Sequence, residues 1–204
     1  MSSTTSFLTA VANRRSIYAL TKNLSTPTSR ILEIVTHALK HTPSPFNVRS
    51  ARCIVLFGPD HDALWQHAFQ VVQDSTPAAL NILGPKIKGY EAAAGSVLVF
   101  DSTEAFTHLT PRFSAISKQF PEWEEHSSGM HQFIVWTALE EEGLGCNLQH
   151  YQPGIVPFVR EKYGVPEDWK LKCQLVFGGL QEGVERPVEK EKTWLEESLR
   201  VYGA

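Results

Sequence analysis

The feature that most constrains the fold is a set of three apolar runs of strand length, at residues 53–57, 96–100 and 172–177. The first run ends at Gly58 and the last at Gly178, and short apolar runs bounded in this way are typical of buried strands. Long stretches with helical periodicity separate the runs. The pattern therefore predicts a mixed α/β or α+β domain.

Helical periodicity and capping residues predict the positions of the helices. Thr28 or Ser29 is expected to cap the second helix and Asp60 the third, and Gly143 is expected to end the longest one. The predicted helices cover residues 6–14, 28–40, 61–73, a stretch between 77 and 91, 103–119, 127–142, 155–163 and 192–201, with an extended segment at 144–149.

Composition excludes several classes of protein. The 204 residues, 42% hydrophobic and 20% charged, are typical of a globular chain that can bury a core. The longest apolar run, residues 92–100, is too short to cross a membrane as a helix. The three cysteines, Cys53, Cys146 and Cys173, include no CxxC pair, which excludes a disulfide scaffold and a zinc ribbon.

Positive charge is concentrated at the start of the chain. Residues 1–50 carry six basic side chains and one acidic one, a net charge of +5, although the whole chain has a net charge of −3. The overall charge argues against a general nucleic-acid binder. The first thirty residues are rich in Ser and Thr and lack acids, as a mitochondrial presequence does. A targeting peptide and an anion-binding surface both explain the asymmetry.

Most familiar catalytic motifs are missing from the sequence. It contains no GxGxxG, no P-loop, no GxSxG and no HExxH. His37 and His41 have the spacing of a metal-binding pair on a helix, but no third ligand follows at a matching spacing. A structural role is favoured for these histidines, and no metal site is predicted.

Two groups of basic residues are candidate phosphate ligands. Arg14 and Arg15 stand beside Ser16 at the end of the first predicted helix, where guanidinium and hydroxyl groups can make charge-assisted hydrogen bonds to a phosphate. Lys190 and Lys192 lie two apart in an extended-looking stretch, so they point the same way and could hold the same phosphate. Taken alone, each group is better explained as solvated basic surface.

Two loops could contact a planar ligand. Residues 43–47 form a rigid loop that carries Phe46 and Asn47, an aromatic ring and an amide. In residues 142–149, Gly145 would let the backbone approach a ligand closely. Cys146 is predicted to pack rather than to act as a nucleophile, because no base is identifiable. Each loop also has an ordinary explanation as a connection between a helix and a strand.

Four segments in this order resemble the nitroreductase-like flavoprotein family. The similarity is greatest to its short branch, which includes the fungal fatty-acid-repression-mutant proteins and small bacterial nitroreductases. The segments are Asn13-Arg14-Arg15-Ser16-Ile17-Tyr18, Thr42-Pro43-Ser44-Pro45-Phe46-Asn47, Ala94-Gly95-Ser96-Val97-Leu98-Val99-Phe100 and Gly143-Leu144-Gly145-Cys146-Asn147-Leu148-Gln149-His150-Tyr151.

The resemblance implies one domain over residues 1–204, with an α+β fold in which helices wrap an antiparallel-containing sheet. It also implies an intertwined homodimer with two FMN sites at the interface. Arg14 and Ser16 match the phosphate ligands, with Arg15 adjacent and Tyr18 also assigned to the cofactor site. Lys190 and Lys192 match a basic pair that holds the same phosphate. Ser44, Pro45, Phe46 and Asn47 match a loop from the partner subunit that lines the flavin ring, and Gly145 and Cys146 match a backbone segment beside the flavin edge.

The sequence departs from many relatives at two positions. Tyr18 stands where they have a second basic residue, and Arg49 where they have glutamine. Reduced flavin is negatively charged near N1, where a cation should stabilise it. Arg49 or Lys86 is the hypothesis for that cation.

The implied activity is that of a cytoplasmic NAD(P)H oxidoreductase, with the nucleus as a second possible compartment. NADH or NADPH would give a hydride to flavin N5, and a nitroaromatic or quinone would then take the electrons, in ping-pong order and with no protein nucleophile. Phe46 is expected to stack on this small aromatic acceptor, with further aromatic candidates at Phe106, Phe113, Phe120 and Trp123. Neither a nucleic acid nor a membrane is expected as a partner.

Two alternatives remain open on the sequence alone. One is a flavin-binding regulatory or oxidative-stress protein linked to lipid metabolism, in which turnover is incidental. The other is an interaction domain without flavin, whose basic segment contacts anionic surfaces.

Overall fold

Five strands form one antiparallel sheet in a computed structural model that describes residues 3–152, 154–184 and 198–203. The strands are β1 (Leu20–Thr21), β2 (Ala51–Phe57), β3 (Gly95–Ser102), β4 (Gly145–Gln149) and β5 (Trp169–Leu180). β5 organises the sheet, because it pairs with β3 along one edge, with β4 along the other, and with β1 near its end. β2 pairs with the remaining edge of β3. The predicted α+β class with an antiparallel sheet is confirmed.

The α-helices of the described residues pack on both faces of this sheet. They are α1 (Ser3–Asn13), α2 (Thr28–His41), α3 (Gly58–Ser75), α4 (Leu80–Glu91), α5 (Phe120–Glu141) and α6 (Val156–Tyr163). α3, α4 and α6 contribute side chains to the core on one face, and α2 and α5 contribute to the core on the other. α1 packs against α5.

β3 is buried along its whole length because helices cover both faces of the sheet. Successive side chains of a strand point to opposite faces. Accordingly, Val97 and Val99 pack in the core on the α2 and α5 face, whereas Leu98 and Phe100 pack in the core on the other face. Full burial of such a side chain contributes about 1.5–3 kcal/mol.

The predicted helix caps are only partly right. α2 follows Pro27 with no capping bond from a side chain, so the cap expected at Thr28 or Ser29 is wrong. α3 begins directly at the end of β2, with proline in its first turn, so Asp60 lies inside that turn and does not cap the helix. Gly143 has a φ of 87° and follows the last turn of α5, as predicted.

The helix predicted over residues 103–119 is wrong. Two short 3-10 helices, Thr103–Phe106 and Ser117–Gln119, stand at the ends of this stretch with turns between them. Pro111 lies in its middle, where it removes a backbone donor and clashes with the preceding turn of an α-helix. α5 instead begins at Phe120, seven residues before the predicted start at 127.

Predictions for the C-terminal part differ in outcome. The strand expected to end at Gly178 continues through two glycines to Leu180. The helix predicted over 192–201 lies largely outside the described residues. In the part of the chain that the structure describes, no helix is long and apolar enough to cross a membrane.

Candidate functional site

The segment that follows α1 lies in extended form beside the start of β4. Ser16 forms a parallel bridge with Cys146, and the backbone N–H of Ile17 donates to the carbonyl of Cys146 at 2.8 Å. Because side chains alternate along extended backbone, Arg15 and Ile17 face inward, 8% and 4% exposed. Arg14, Ser16 and Tyr18 form the outward-facing row of this segment.

Arg15 is engaged by the protein itself. Its guanidinium donates to the backbone carbonyls of Ala12 and Arg14 at 2.5 and 2.9 Å, and its backbone N–H donates to the carboxylate of Glu140 at 3.0 Å. The structure therefore does not bring Arg15 to the outward row. These contacts hold Arg15 in place within the protein, and the phosphate role that the sequence suggests for it stays a prediction.

Arg14 is held differently from its neighbour. Its guanidinium carbon lies 4.3 Å from the ring centroid of Trp136 on α5. The face of a guanidinium attracts an aromatic ring, and its N–H donors remain in its plane. Arg14 thus presents donors on the same side of the segment as the hydroxyl of Ser16.

A cavity of about 630 Å³ opens at the end of this row. Tyr18 belongs to both the row and the lining of the cavity, which also includes Lys86 and Tyr90 of α4. Leu148 and Gln149, at the end of β4, line it as well. Burial raises the pKa of the Tyr90 phenol, so Tyr90 presents a neutral hydroxyl group at physiological pH.

Gly145 and Cys146 are both buried, and a Cβ on Gly145 would come within 2.5 Å of the Leu20 side chain, so this glycine allows close packing. Their place beside the flavin edge stays a prediction. From the same strand, Leu148 and Gln149 line the cavity, and the sequence analysis did not select them. In the structure, only these last two residues of β4 are partly exposed, and no sequence motif marks them.

The loop after α2 has an unusual backbone. Phe46, Asn47 and Arg49 have φ values of 51°, 54° and 52°, in the left-handed region that residues other than glycine rarely adopt. The hydroxyl of Ser44 accepts a hydrogen bond from the backbone N–H of Arg49 at 2.9 Å, and the Asn47 amide oxygen accepts one from Arg49 Nε at 3.3 Å. These local bonds hold Pro45 and Phe46 at the tip of the loop.

Phe46 belongs to an aromatic cluster. Although its side chain is 46% exposed, its ring stacks on Phe113 at 4.8 Å and lies 5.8 Å from Phe120 and 6.0 Å from Trp123. Phe106 stacks on Phe120 at 4.9 Å. The aromatic residues singled out in the sequence are therefore neighbours.

Arg49 and Lys86 occupy different places. Arg49 lines a second cavity of about 220 Å³ together with Ser44 and His131, and this cavity shares no lining residue with the one that contains Lys86. Within one chain, the structure does not bring the two candidate cations to a common cavity.

Buried ionisable groups lie on α5 near this second cavity. Burial, with a contribution from the negative charge of Asp101, raises the pKa of Glu124 to about 7. Burial lowers the pKa of His131 to about 4. Among the described residues, no hydrogen-bond partner is found for either ring nitrogen of His131 or for Oε1 of Glu124.

The remaining candidates give no further site. The rings of His37 and His41 lie 4.3 Å apart, and no group of three or more metal-ligating side chains occurs in the described ranges. Lys190 and Lys192 lie outside the described residues.

Comparison with known proteins identifies the family. Residues 11–179 match the Nitroreductase family. Nitroreductase FRM2 from Saccharomyces cerevisiae is 33% identical, over 99% of this chain and 100% of the relative. The nitroreductase CinD from Lactococcus lactis, in complexes with chloramphenicol and with 4-nitrophenol, is 32% identical with TM-scores of 0.85 and 0.84, over 96% of this chain and 100% of CinD. The chain is therefore an oxidoreductase that belongs to the nitroreductase family, whose members depend on FMN.

Proposed function

We propose that this protein is an FMN-dependent NAD(P)H oxidoreductase that reduces nitroaromatics or quinones. The observation that carries the proposal is the continuity between the outward row of Arg14, Ser16 and Tyr18 and the 630 Å³ cavity that contains Lys86. The proposed phosphate ligands, Arg14 and Ser16, lie at one end of this surface, and a cavity of cofactor size lies at the other.

The residues present fit FMN in size and in chemistry. The volume falls within the range of about 300–1,000 Å³ that is usual for cofactor and ligand pockets. FMN carries a phosphate dianion at one end and a flat ring system at the other. Arg14 and Ser16 offer donors to the phosphate, and Tyr18, Leu148 and Gln149 offer flat, apolar and polar surfaces to the ring. On the strength of the resemblance, we include Lys190 and Lys192 among the proposed phosphate-binding residues.

We further propose that a second copy of the chain completes the site. The loop that carries Ser44, Pro45, Phe46 and Asn47 shares no cavity with Tyr18 in its own chain. The resemblance assigns this loop to the partner's flavin, so an intertwined homodimer would bring the two halves together. The exposed ring of Phe46 and its aromatic neighbours then form the surface on which a small aromatic acceptor stacks.

When bound, FMN supplies hydride acceptance from NADH or NADPH and electron transfer to the second substrate. The protein's own residues would position the cofactor and the substrates and supply positive charge near the ring. We assign to the ammonium group of Lys86, which lines the cavity, the stabilisation of negative charge on the ring. In the proposed dimer, the aromatic cluster would exclude water. No nucleophile or general base is required from the chain. The complexes of CinD with 4-nitrophenol and chloramphenicol support a small aromatic acceptor. We place the reaction in the cytoplasm.

An anaerobic titration tests this proposal. The purified protein should show flavin absorbance, lose it on addition of NADH or NADPH, and regain it when 4-nitroquinoline-N-oxide or a quinone is added. A protein that takes up no flavin even after FMN is supplied contradicts the proposal. A yellow protein that neither nucleotide can bleach favours the regulatory flavoprotein instead.

A further inference from the structure

We propose that Trp136 and Glu140 of α5 are positioning residues that orient Arg14 toward a phosphate and so make the site prefer FMN to riboflavin. This inference rests on the proposed function. Neither residue would touch the flavin. They act through Arg14.

Glu140 fixes both the ring and the backbone beside Arg14. It is 3% exposed, and its carboxylate accepts a hydrogen bond from the indole Nε1 of Trp136 at 2.7 Å. The same carboxylate accepts the backbone N–H of Arg15 at 3.0 and 3.3 Å. A single buried group therefore sets the indole plane and the path of the chain next to Arg14.

The stacking contact uses the face of Arg14 and leaves its edge for a ligand. The guanidinium carbon lies 4.3 Å from the indole centroid. All guanidinium donors lie in the plane of the group, so a stacked arginine can still bind a phosphate with two parallel hydrogen bonds. The ring also removes much of the side chain's rotational freedom before a ligand binds, which lowers the entropic cost of binding.

The charge of Arg14 remains available. Within the described ranges, no carboxylate forms an ion pair with Arg14, although Glu140 lies on the helix against which it packs. Glu140 is bonded to the indole and to backbone instead. An arginine that is held in place but not neutralised is suited to a dianion.

Riboflavin provides a clean comparison because it has the same ring and ribityl chain as FMN but no phosphate. Disorienting Arg14 should weaken the binding of FMN and leave that of riboflavin almost unchanged. A general disturbance of the fold would weaken both flavins alike. The ratio of the two affinities therefore separates positioning from structural damage.

The experiment equilibrates the full-length holoprotein with mixtures of FMN and riboflavin, recovers the protein by gel filtration, and measures both bound flavins. Trp136→Leu should lower the preference for FMN about tenfold, in line with the loss of a cation–π contact. Arg14→Ala should lower it at least as much. Trp169→Leu is the matched control, because Arg52 lies over Trp169 at 5.7 Å in another part of the fold, and it should leave the ratio unchanged.

A folded Trp136→Leu protein with an unchanged ratio overturns the inference. If that variant does not fold, Trp136→Phe decides: it keeps a ring beneath Arg14 but loses the bond to Glu140, so the preference should fall about two- to threefold, and no fall overturns the inference. A wild-type protein that retains neither flavin contradicts the proposed function itself.

Discussion

Glu124 and Asp101 are two buried acids that differ in their partners, and burial, with a smaller contribution from the negative charge of Asp101, raises the pKa of Glu124. Asp101 accepts a hydrogen bond from Ser50 at 3.2 Å and has the ammonium group of Lys172 at 4.0 Å. Burial raises the pKa of Asp101 as well, but Lys172 and Ser50 oppose that shift, whereas Oε1 of Glu124 has no hydrogen-bond partner among the described residues. Glu124, whose pKa rises to about 7, is therefore the acid that we expect to hold a proton near neutral pH.

Glu124→Gln should change how stability depends on pH. The folded pKa of about 7 lies above the unfolded value of 4.5, so the folded state binds more protons between these two values. The stability contributed by Glu124 is complete below pH 4.5 and is lost as pH rises through 7. The variant should therefore gain about 2 kcal/mol relative to wild type between pH 5 and pH 8, measured by urea unfolding. The exposed Glu122→Gln on the same helix is the control, and parallel curves for Glu124→Gln and wild type would count against the assignment.

His131 should act with the opposite sign. Its folded pKa of about 4 lies below the ordinary value of 6.5, so the folded state binds fewer protons between these values. Its presence costs stability as pH falls through 6.5 toward 4. As pH falls from 7.5 toward 4, the unfolding free energy of His131→Leu should decrease less than that of wild type. The exposed His126→Leu variant should lose as much as wild type. Equal acid sensitivity of His131→Leu and wild type would show that the imidazole is not buried as a neutral group.

Gly179→Ala should destabilise the protein by about 3 kcal/mol. A Cβ at this position in β5 would lie 2.0 Å from the backbone carbonyl oxygen of Asn23, which cannot move independently of its chain. Gly129→Ala, at an exposed position of α5, is the matched control, because nothing lies within 4 Å of a Cβ built there. Alanine there should raise stability by about 0.5–1 kcal/mol. Thermal unfolding that ranks the two variants in the other order would contradict the close approach of the Asn23 backbone to Gly179.

Lys86→Ala should slow flavin reduction by NADH or NADPH about tenfold and make the flavin potential more negative, because a cation near the ring stabilises the reduced form. Lys88→Ala is the control, since Lys88 is paired with Glu91 at 2.7 Å on the same helix and does not line the cavity. Rapid-reaction kinetics measures both variants, and a Lys86→Ala protein that keeps its FMN and full reduction rate would remove Lys86 from this role.

Arg49 is the other candidate cation. An Arg49→Ala protein that keeps its FMN and full reduction rate would remove Arg49 from this role.

Local patterns predict the strands and most helices of this fold, since apolar runs and helical periodicity are properties of neighbouring residues. Contacts between distant segments account for the errors. The sequence predicts that Gly178 and Gly179 end a strand, yet the strand continues through them, and a Cβ at either position would lie within 2.5 Å of a backbone oxygen of Thr21 or Asn23. The roles of Leu148, Gln149 and Tyr90 depend on how β4 pairs with β5 and how α4 packs, which no short motif encodes.

The distinction between Arg14 and Arg15 was within reach of the sequence. An extended segment with Ile17 inside must place Arg15 on the same side as Ile17 and Arg14 on the other. What the sequence could not supply was the partner of each: Glu140 and Trp136 lie more than 120 residues away along the chain.

Because neighbouring side chains of residues 14–18 face opposite ways, the loss or gain of one residue between α1 and β1 would exchange the two arginines. The guanidinium now bonded to carbonyls would face solvent, and the one stacked on the indole would be forced into the interior. A substitution at an outward position leaves this parity intact, whereas a change of length does not. The length of the connection between α1 and β1 thus determines which of its side chains face inward, and we expect this length to be constrained more tightly than its composition.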